Sequence, residues 1–316
     1  MYDTRISAIS YTIPDTMVPV AELLKEVPSS KMPAAFPTRE AYASFLESEL
    51  NLTHIRVEQK LTDHMMLTNT VEALFNSNGM DPEEIDLIIL AQEHDQRQKE
   101  NLAQYIQFEF DMDNAWVINL SGNHCANIDY AITVASTMAQ SNPHFRNILI
   151  LGNVKITSPA ERLIGSYGLL SDGSGALLLS KQGNGWGLRD SRILSAGRLH
   201  QVDLNRDDSL LLCKYYVRSM QELLQQAGIP ATEIAHVITQ NANSLLVTQC
   251  MEAVGINKER LFTENSSRYG HMDCIDFLVN LKDLTTSLDP SAEKGIILTF
   301  GTGWAGSFIS SLIHHQ

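Results

Sequence analysis

The sequence has few cysteines and no long hydrophobic run. No stretch of its 316 residues approaches the ~18 consecutive apolar residues that a membrane-spanning helix needs. Residues 1–5 lack the basic start of a signal peptide, and no apolar run follows them. Four cysteines are too few to brace a chain of this length with disulfides. These absences exclude a membrane-spanning protein and predict a cytoplasmic one with no membrane partner.

Positive charge is also scarce. The chain has 23 Lys and Arg residues against 37 Asp and Glu residues, a formal net charge of −14 at pH 7. Nucleic-acid-binding proteins present basic faces to the phosphate backbone, so a nucleic acid is excluded as the main partner. With 44% hydrophobic and 19% charged residues the composition is that of a globular protein. Its function must therefore come from particular residues.

Short apolar runs alternate with segments of helical length. Runs rich in Ile, Leu and Val predict buried strands at 85–91, 116–120, 148–151, 176–180, 234–239, 296–300 and 307–313. Helices are predicted at 62–78, 126–140, 209–226 and 244–254. This alternation is typical of βαβ units, so we expect an α/β fold with a mostly parallel sheet. Residues 22–60, irregular at first and helical over 39–50, are expected to form an excursion outside the core.

Two kinds of segment occur twice at nearly the same spacing. Residues 79–85 and 228–234 each contain a helix-ending glycine, a proline and a Glu-Ile pair that enters a strand. Residues 147–152 and 295–301 each form an apolar strand that ends in glycine. We interpret these segments as a duplication; the alternative is a chance likeness of two αβ units.

A duplication divides the chain into halves at 1–183 and 184–316. If the halves pack about a pseudo-twofold axis, equivalent helix N-termini meet near the centre. Cys125 would then face His271 from the opposite half.

Cys125 is a candidate nucleophile because of where it stands. Residues 117–126 predict a strand, a turn and then this cysteine at a helix start. Helix N-termini carry unpaired N–H groups and partial positive charge, which stabilise a thiolate and can receive an oxyanion. The alternative is a buried structural cysteine, which is our interpretation of Cys213, Cys250 and Cys274.

Four ordered blocks of the sequence resemble a known enzyme family. The blocks are the segment around Cys125, the strand at 148–153, the run Leu-Ser-Asp-Gly-Ser-Gly-Ala-Leu at 170–177 and the glycine loop at 300–307. Together they resemble thiolase-fold condensing enzymes, particularly the ketoacyl-ACP synthase III type. The resemblance covers nearly the whole chain. It implies thiolase-like duplicated βαβαβ halves in a five-layered α-β-α-β-α core, with the nucleophile in the first half and Gln240, His271 and the glycine loop in the second.

The resemblance also implies roles and partners. Cys125 would take an acyl group from a thioester and hold it covalently. Backbone N–H groups of Cys125 and of Thr302 or Gly303 would receive the oxyanion. No metal and no cofactor is implied. The implied partners are an acyl thioester on a carrier protein or coenzyme A, a small-molecule acceptor and a second copy in a homodimer.

Two residues of the family's catalytic triad are exchanged. Gln240 stands where the family has histidine, in Thr-Gln-Asn-Ala-Asn at 239–243. His271 stands where the family has asparagine, in Arg-Tyr-Gly-His-Met-Asp at 268–273. An alternative alignment on 265–267 restores an asparagine but loses the arginine and glycine register.

The exchange is compatible with two chemistries. Gln240 and His271 still offer the two hydrogen-bond donors that a decarboxylative condensation needs for its enolate. Alternatively, His271 is a general base, with Asp273, Asp276 or Asn241 orienting its imidazole. The structural alternatives are a capping or dimer-contact role for His271 and helix N-terminal charges for the two aspartates.

Two further histidines are candidates for lining the substrate pocket. His124 adjoins Cys125, but neighbouring side chains point apart, which argues against a direct dyad. His94 lies in Glu-His-Asp at 93–95, and residues so close in sequence rarely supply a complete metal site.

The donor-binding residues of the family are only partly present. Relatives that use coenzyme A carry Trp and Arg in the region matching 42–56, where this chain has Tyr42 but no tryptophan. A carrier protein needs a basic docking patch, for which Lys214, Arg218 and Arg268 are the candidates.

Three functions follow as hypotheses. The first is an acyltransferase that passes an acyl group from Cys125 to oxygen or nitrogen, in specialised-metabolite or lipid biosynthesis. The second is a decarboxylative Claisen condensation with a malonyl thioester, and the third is a non-catalytic subunit that supports an active homologue. The gain of His271 with acidic neighbours favours the first.

Overall fold

The computed structural model describes residues 2–93, 101–165, 167–183, 185–199, 206–288, 295–303 and 306–315, with the backbone alone at 206–209. The strands of this part of the chain are β1 (Arg5–Thr12), β2 (Met17–Pro19), β3 (His54–Arg56), β4 (Leu87–Ala91), β5 (Trp116–Leu120), β6 (Asn147–Val154), β7 (Gly173–Ser180), β8 (Trp186–Ser195), β9 (Ile234–Thr239), β10 (Ile296–Gly303) and β11 (Ser307–His315). The α-helices are α1 (Val20–Glu26), α2 (Arg39–Ser48), α3 (Asp63–Asn78), α4 (Leu102–Glu109), α5 (Asn127–Ser141), α6 (Arg206–Ala227), α7 (Ser244–Val254), α8 (Glu264–Tyr269) and α9 (Asp276–Ser287). None of these helices is long and apolar enough to cross a membrane.

Nine of the described strands form one mixed sheet in the order β5-β4-β6-β7-β1-β8-β11-β10-β9. β4 pairs in parallel with β5 and β6, and β9 pairs in parallel with β10. The pairs between these two ends are antiparallel. Five of these eight strand pairs are antiparallel, so the expectation of a mostly parallel sheet is wrong. The antiparallel pairs lie in the middle of the sheet. There the chain turns back from β6 into β7 and from β10 into β11.

β1 and β8 join the two ends of the sheet, and the apolar pattern did not reveal them. Most residues of both strands are partly buried or exposed, and β8 has the polar run Arg-Asp-Ser-Arg at 189–192, so neither strand has a continuous apolar run. β4 and β6 are buried nearly throughout, so their sequences are continuous apolar runs that predict strands.

Two buried helices form the central layer of the molecule. α5 contacts β4 and β6 at one end of the sheet and β10 and β11 at the other, and α9 contacts β1, β7 and β9. Outside them, α3 and α4 cover the end with β4 to β7, while α6 and α7 cover the end with β9 to β11. This arrangement confirms the predicted α/β class with its five layers.

Residues 17–56 form a small unit beside the core. α1 and α2 pack together around Leu24, Tyr42 and Leu46, all fully buried. Thr38 begins α2, because its Oγ1 accepts a hydrogen bond from the Ala41 N–H at 3.1 Å. The helix predicted over 39–50 is α2, whereas the supposedly irregular start of the excursion contains α1.

The two central helices begin in the same way. α5 follows the 3-10 turn His124–Ala126, and α9 follows the 3-10 turn Asp273–Ile275. The first residue of each turn has a positive φ, 45° in one and 52° in the other. The second residue is a cysteine in both, Cys125 and Cys274, and the two turns contact each other. This likeness supports the proposed duplication, and the division into halves at 183/184 stays a prediction.

Candidate active site

Cys125 lies where the two central turns meet the closing loop. Its side chain is 6% exposed and faces a cavity. β10 reaches the same turn at Gly303, where a Cβ atom would overlap the carbonyl oxygen of Asn123. Only glycine allows so close an approach of the two backbones. Thr302 and Gly303 therefore lie next to the turn that carries Cys125. They are the two residues of the closing loop that we predict to receive the oxyanion.

His271 approaches Cys125 from the other half of the chain. Its Nε2 lies 3.3 Å from Sγ of Cys125, and its side chain is 1% exposed. The residue sits just before the turn that begins α9, and its carbonyl oxygen accepts a hydrogen bond from the Ser171 N–H at 2.7 Å. Neither partner can leave this contact without unpacking the interior.

Asp276 binds the other nitrogen of the imidazole. Its Oδ2 pairs with Nδ1 of His271, and both side chains are buried. Oδ2 also accepts the Asn241 N–H at 2.7 Å, and Oδ1 accepts the Met272 N–H at 2.8 Å. Because the carboxylate accepts the Nδ1 proton, Nε2 is the nitrogen left to take the proton of the thiol.

A chain of amides holds Asp276 in place. The side-chain nitrogen of Asn241 donates to Oδ1 of Asp276 at 3.2 Å and to the Gly270 carbonyl at 3.1 Å. Asn280 donates to Oδ1 of Asn241 at 2.9 Å and accepts from Asn265 at 3.0 Å. Asn241 thus contacts the carboxylate and not the imidazole. The alternative alignment on 265–267 would place the key amide at Asn265, which lies inside this network.

The pKa values of the thiol and the imidazole are both displaced. Burial raises the pKa of Cys125 well above its ordinary value, and the charges of Asp273 and Asp276 raise it further. Burial alone would lower the pKa of His271, but attraction to Asp276 and the hydrogen bond with it raise that pKa instead. The field of the helix N-terminus led us to expect a stabilised thiolate. The raised pKa of Cys125 favours the protonated thiol instead, and His271 is the adjacent group that can accept its proton.

Gln240 contacts the closing loop. Its Nε2 donates to the Thr302 carbonyl at 2.9 Å, and its side chain lines the same cavity as Cys125 and His271. An amide does not exchange protons near neutral pH, so Gln240 can offer an N–H or an oxygen to a substrate but cannot act as a base.

Asp273 contacts the thiol of Cys125. Its carboxyl group is buried, and burial raises its pKa. Its Oδ1 accepts no hydrogen bond from the residues that the structure describes. Of the two aspartates predicted to orient His271, Asp276 is therefore the one bonded to the ring, while Asp273 contributes charge near Cys125.

Glu93 anchors the turn that carries Cys125, a role that was not predicted from the sequence. Its Oε1 accepts the Gly122 N–H at 3.0 Å, the His124 N–H at 2.6 Å and the Asn127 side-chain N–H at 3.0 Å. The sequence indicates 93–95 only as an incomplete metal cluster and as a loop that could line the substrate pocket. The available signal was its position, an acid two residues beyond the end of a buried strand.

Of the two histidines predicted to line the pocket, the described part of the chain includes only His124, which is not among the lining residues. The His124 ring lies 3.8 Å from Glu93 and is 38% exposed, and it is not among the described residues around the cavity. His94 lies outside the described residues. Within the described ranges no three His, Cys, Asp or Glu side chains are grouped so that they could hold a metal ion.

The cavity in front of Cys125 is narrow and mainly apolar. Its volume is about 40 Å³, and its lining residues are Cys125, Ile164, Tyr167, Leu212, Tyr216, Gln240, Ala242, Asn243, Leu246, Val247, His271 and Thr302. The walls therefore lie close to any group that enters it. One space is thus lined by Cys125, His271, Gln240 and Thr302.

Comparisons with known proteins agree with this architecture. The model of the 3-oxoacyl-[acyl-carrier-protein] synthase III C-terminal family matches residues 224–313. The chain is 25% identical over 240 residues to the β-ketoacyl-[acyl-carrier-protein] synthase III of Aquifex aeolicus, covering 72% of this chain and 76% of that protein. The enzyme of the same name from Chlorobium luteolum is 23% identical over 286 residues, covering 81% and 86%.

Solved structures show the same fold. The crystal structure of the Aquifex aeolicus VF5 synthase III superposes with a TM-score of 0.80 at 22% identity, covering 99% of this chain and 100% of that one. The acyltransferase ChlB3 superposes with a TM-score of 0.80 at 17% identity, covering 99% and 97%. Taken together, the solved structures show that this chain has the thiolase fold, and the family model and the relatives show that its sequence is similar to ketoacyl-ACP synthase III enzymes.

Proposed function

We propose that the protein is an acyltransferase that loads an acyl group from a carrier-protein or coenzyme A thioester onto Cys125. It then passes the group to an oxygen or nitrogen nucleophile of a small acceptor. The observation that supports this proposal is the line of contacts from Cys125 through His271 to Asp276. This order of thiol, imidazole and carboxylate suits proton transfer to and from a nucleophile.

In the loading step, Nε2 of His271 takes the thiol proton as Sγ of Cys125 attacks the thioester carbonyl. N–H groups of Cys125 and of the loop at Thr302 and Gly303 would receive the oxyanion. The intermediate collapses, the donor's carbon–sulfur bond breaks, and the leaving thiolate takes the proton from His271. An acyl-cysteine and a neutral imidazole result.

In the transfer step, the same nitrogen removes a proton from the acceptor. The acceptor's oxygen or nitrogen attacks the acyl carbon, and the bond from that carbon to Sγ breaks. The thiolate of Cys125 regains its proton from His271, which restores the resting site. Asp276 stabilises the imidazolium in both steps, because its carboxylate is buried against Nδ1.

Decarboxylative condensation is the second candidate. Gln240 and His271 line one cavity and could both donate to a developing enolate, and the synthase III relatives named above carry that activity in their names. Two observations favour proton transfer instead. One of the two N–H groups of the Gln240 amide already donates to the Thr302 carbonyl, which leaves one for a substrate. Attraction to Asp276 raises the pKa of His271, which makes its neutral form a stronger proton acceptor.

A carrier protein is the donor that we favour. Tyr42, in the region where relatives bind adenine, is fully buried and donates its hydroxyl to the Gly165 carbonyl at 2.6 Å. It therefore offers no exposed ring for stacking. Of the candidate docking cations, Arg218 pairs with Glu222 at 2.6 Å and Arg268 with Asp283 at 3.5 Å, whereas Lys214 is exposed.

A homodimer through the sheet is part of the same proposal. β5 lies at one edge of the described sheet, and Trp116 on it is 61% exposed. Phe108 of the neighbouring α4 is 77% exposed. An open strand edge with apolar neighbours is a surface on which a second copy can continue the sheet.

Intact-mass spectrometry tests the acyltransferase. Incubation with acyl-carrier thioesters should add one acyl group to the wild type and none to Cys125→Ala. Cys274→Ala is the matched control, because Cys274 holds the equivalent turn position and points to the Ala91 carbonyl instead of His271. Unmodified wild-type protein with every donor would support the non-catalytic subunit.

Malonyl donors separate the two enzymatic candidates. An acyltransferase releases no carbon dioxide from malonyl-carrier protein and forms an ester or amide with a panel of alcohols and amines. Carbon dioxide release coupled to a 3-oxoacyl product would overturn the acyltransferase in favour of condensation.

A further inference from the structure

Two cysteines outside the candidate active site lie in direct contact. Sγ of Cys250 donates to Sγ of Cys213 at 3.0 Å, although 37 positions separate them in sequence. Cys213 belongs to α6 and Cys250 to α7. Cys250 is fully buried and Cys213 partly exposed, so a small reagent meets Cys213 first.

The same two helices form one wall of the cavity in front of Cys125. Leu212 and Tyr216 of α6 and Leu246 and Val247 of α7 line it. Cys213 follows Leu212 directly, and Cys250 lies one helical turn beyond Leu246 and Val247. The sulfur contact therefore joins the two helices behind that wall.

Because the cavity is narrow, the contact between Cys213 and Cys250 bears on which acyl groups can enter it. With a volume of about 40 Å³, the cavity fits closely around any acyl group that enters it. A longer chain needs the apolar side chains of α6 and α7 to separate. Free thiols allow this separation, whereas a covalent bond between the helices would oppose it.

We propose that Cys213 and Cys250 are a reversible redox modification site, whose disulfide ties α6 to α7 and restricts the cavity to short acyl groups. The disulfide itself does not depend on the proposed function. Its effect on acyl loading rests on that function.

Glutathione disulfide is the oxidant class that balances the reaction. The thiolate of Cys213 attacks one of its sulfurs, which forms a mixed disulfide and releases one glutathione thiolate. Sγ of Cys250 then attacks Sγ of Cys213 and releases the second. The two protons lost by the protein thiols end on the two glutathione molecules. Two protein thiols are thus oxidised, one glutathione disulfide is reduced, and excess reduced glutathione reverses the process.

The first experiment uses no acyl donor. The full-length protein is equilibrated in glutathione buffers of increasing oxidised fraction, quenched by alkylation and mapped by peptide mass spectrometry. We expect a linked peptide pair containing Cys213 and Cys250, a higher Tm in the oxidised protein and full reversal by reduced glutathione. Cys213→Ser and Cys250→Ser should each remove the linked pair and the Tm shift. Separate alkylation of both cysteines in the most oxidising buffer would overturn the proposal.

The second experiment measures loading of short-chain and long-chain acyl-carrier thioesters. Oxidation should slow long-chain loading by about tenfold, as expected if opening the wall costs about 1.4 kcal/mol more. Short-chain loading should be unchanged. In Cys213→Ser, the loading rate of each donor should be the same under oxidising and reducing conditions. Equal loading of the two donors by the oxidised wild type would overturn the restriction. Failure of the reduced protein to load any donor would contradict the proposed function and leave the peptide map as the test of the disulfide.

Discussion

Nε2 of His271 lies 3.3 Å from Sγ of Cys125, across 146 positions of sequence and from the opposite half of the chain. The contact exists because two similar turns, each leading into a buried helix, meet in the middle of the molecule.

Asp276→Asn should lower the acyl-loading rate by roughly 10²- to 10⁴-fold, the range for loss of acid–base assistance. The amide cannot stabilise the imidazolium that forms when His271 takes the thiol proton. Stopped-flow mass analysis of loading measures the effect. Asp283→Asn on the same helix is the matched control, because Asp283 bonds to Tyr11 and Arg268 and not to the imidazole. Similar losses in both variants would contradict the assigned role of Asp276.

The loading rate should depend on pH through His271. The imidazole must be neutral to accept the thiol proton, and attraction to Asp276 raises its pKa above the ordinary 6.5. The wild-type rate should therefore rise with pH through a midpoint above 6.5. In Asp276→Asn the midpoint should move to lower pH, while the plateau falls. A pH-independent wild-type rate would count against general-base catalysis.

Glu93→Ala should loosen the turn that carries Cys125. The side chain accepts three N–H groups of residues 122–127, and unpaired donors cost about 1–2 kcal/mol in a partly exposed setting. We expect a lower Tm and slower loading. Glu93→Gln keeps an acceptor oxygen in the same place and should restore most of both. Loading by Glu93→Ala at the wild-type rate would show that the anchor is dispensable.

Gly303→Ala should disturb the closing loop, because the new methyl group would overlap the Asn123 carbonyl. The loop must move away from the turn of Cys125, which separates the proposed oxyanion donors. We expect loading to fall by roughly 10²-fold or more, the scale for a lost oxyanion donor. Gly197→Ala is the control, since a Cβ there meets no atom within 4 Å. Equal activity of the two variants would argue against an oxyanion role for this loop.

Asp129→Asn should change how stability depends on pH. Burial raises the pKa of Asp129 to about 7, while its Oδ1 accepts from Thr299 at 3.1 Å. The folded protein therefore binds a proton here that the unfolded chain releases near pH 4, so the free energy of unfolding falls between about pH 4 and pH 7. Asp129→Asn should remove that fall and be more stable than wild type at pH 8. Denaturant titrations at pH 5 and pH 8 measure it, and parallel curves for the two proteins would refute the assignment.

The sequence by itself determined the α/β class, most strands and helices, and the position of Cys125 at a helix start. These features follow from local patterns: apolar runs, glycine and proline at element ends, and a turn before a helix. β1 and β8 were not predicted because most of their residues are only partly buried or exposed, which leaves no continuous apolar run. The role of Glu93 was not predicted because its partners, backbone N–H groups of Gly122 and His124 and the side-chain amide of Asn127, lie about thirty positions away in sequence.

Only the tertiary structure decided between Asp273 and Asp276. Both lie within a few residues of His271, and spacing alone favoured neither. The positive φ of Asp273 and the 3-10 turn after it direct one carboxyl group toward the thiol and the other onto Nδ1. The contact between Cys213 and Cys250 was equally invisible, since it arises where two helices far apart in sequence pack side by side. The periodicity of the sequence indicates which face of a helix or strand is buried. Which atoms come into contact on that face is determined only by tertiary packing.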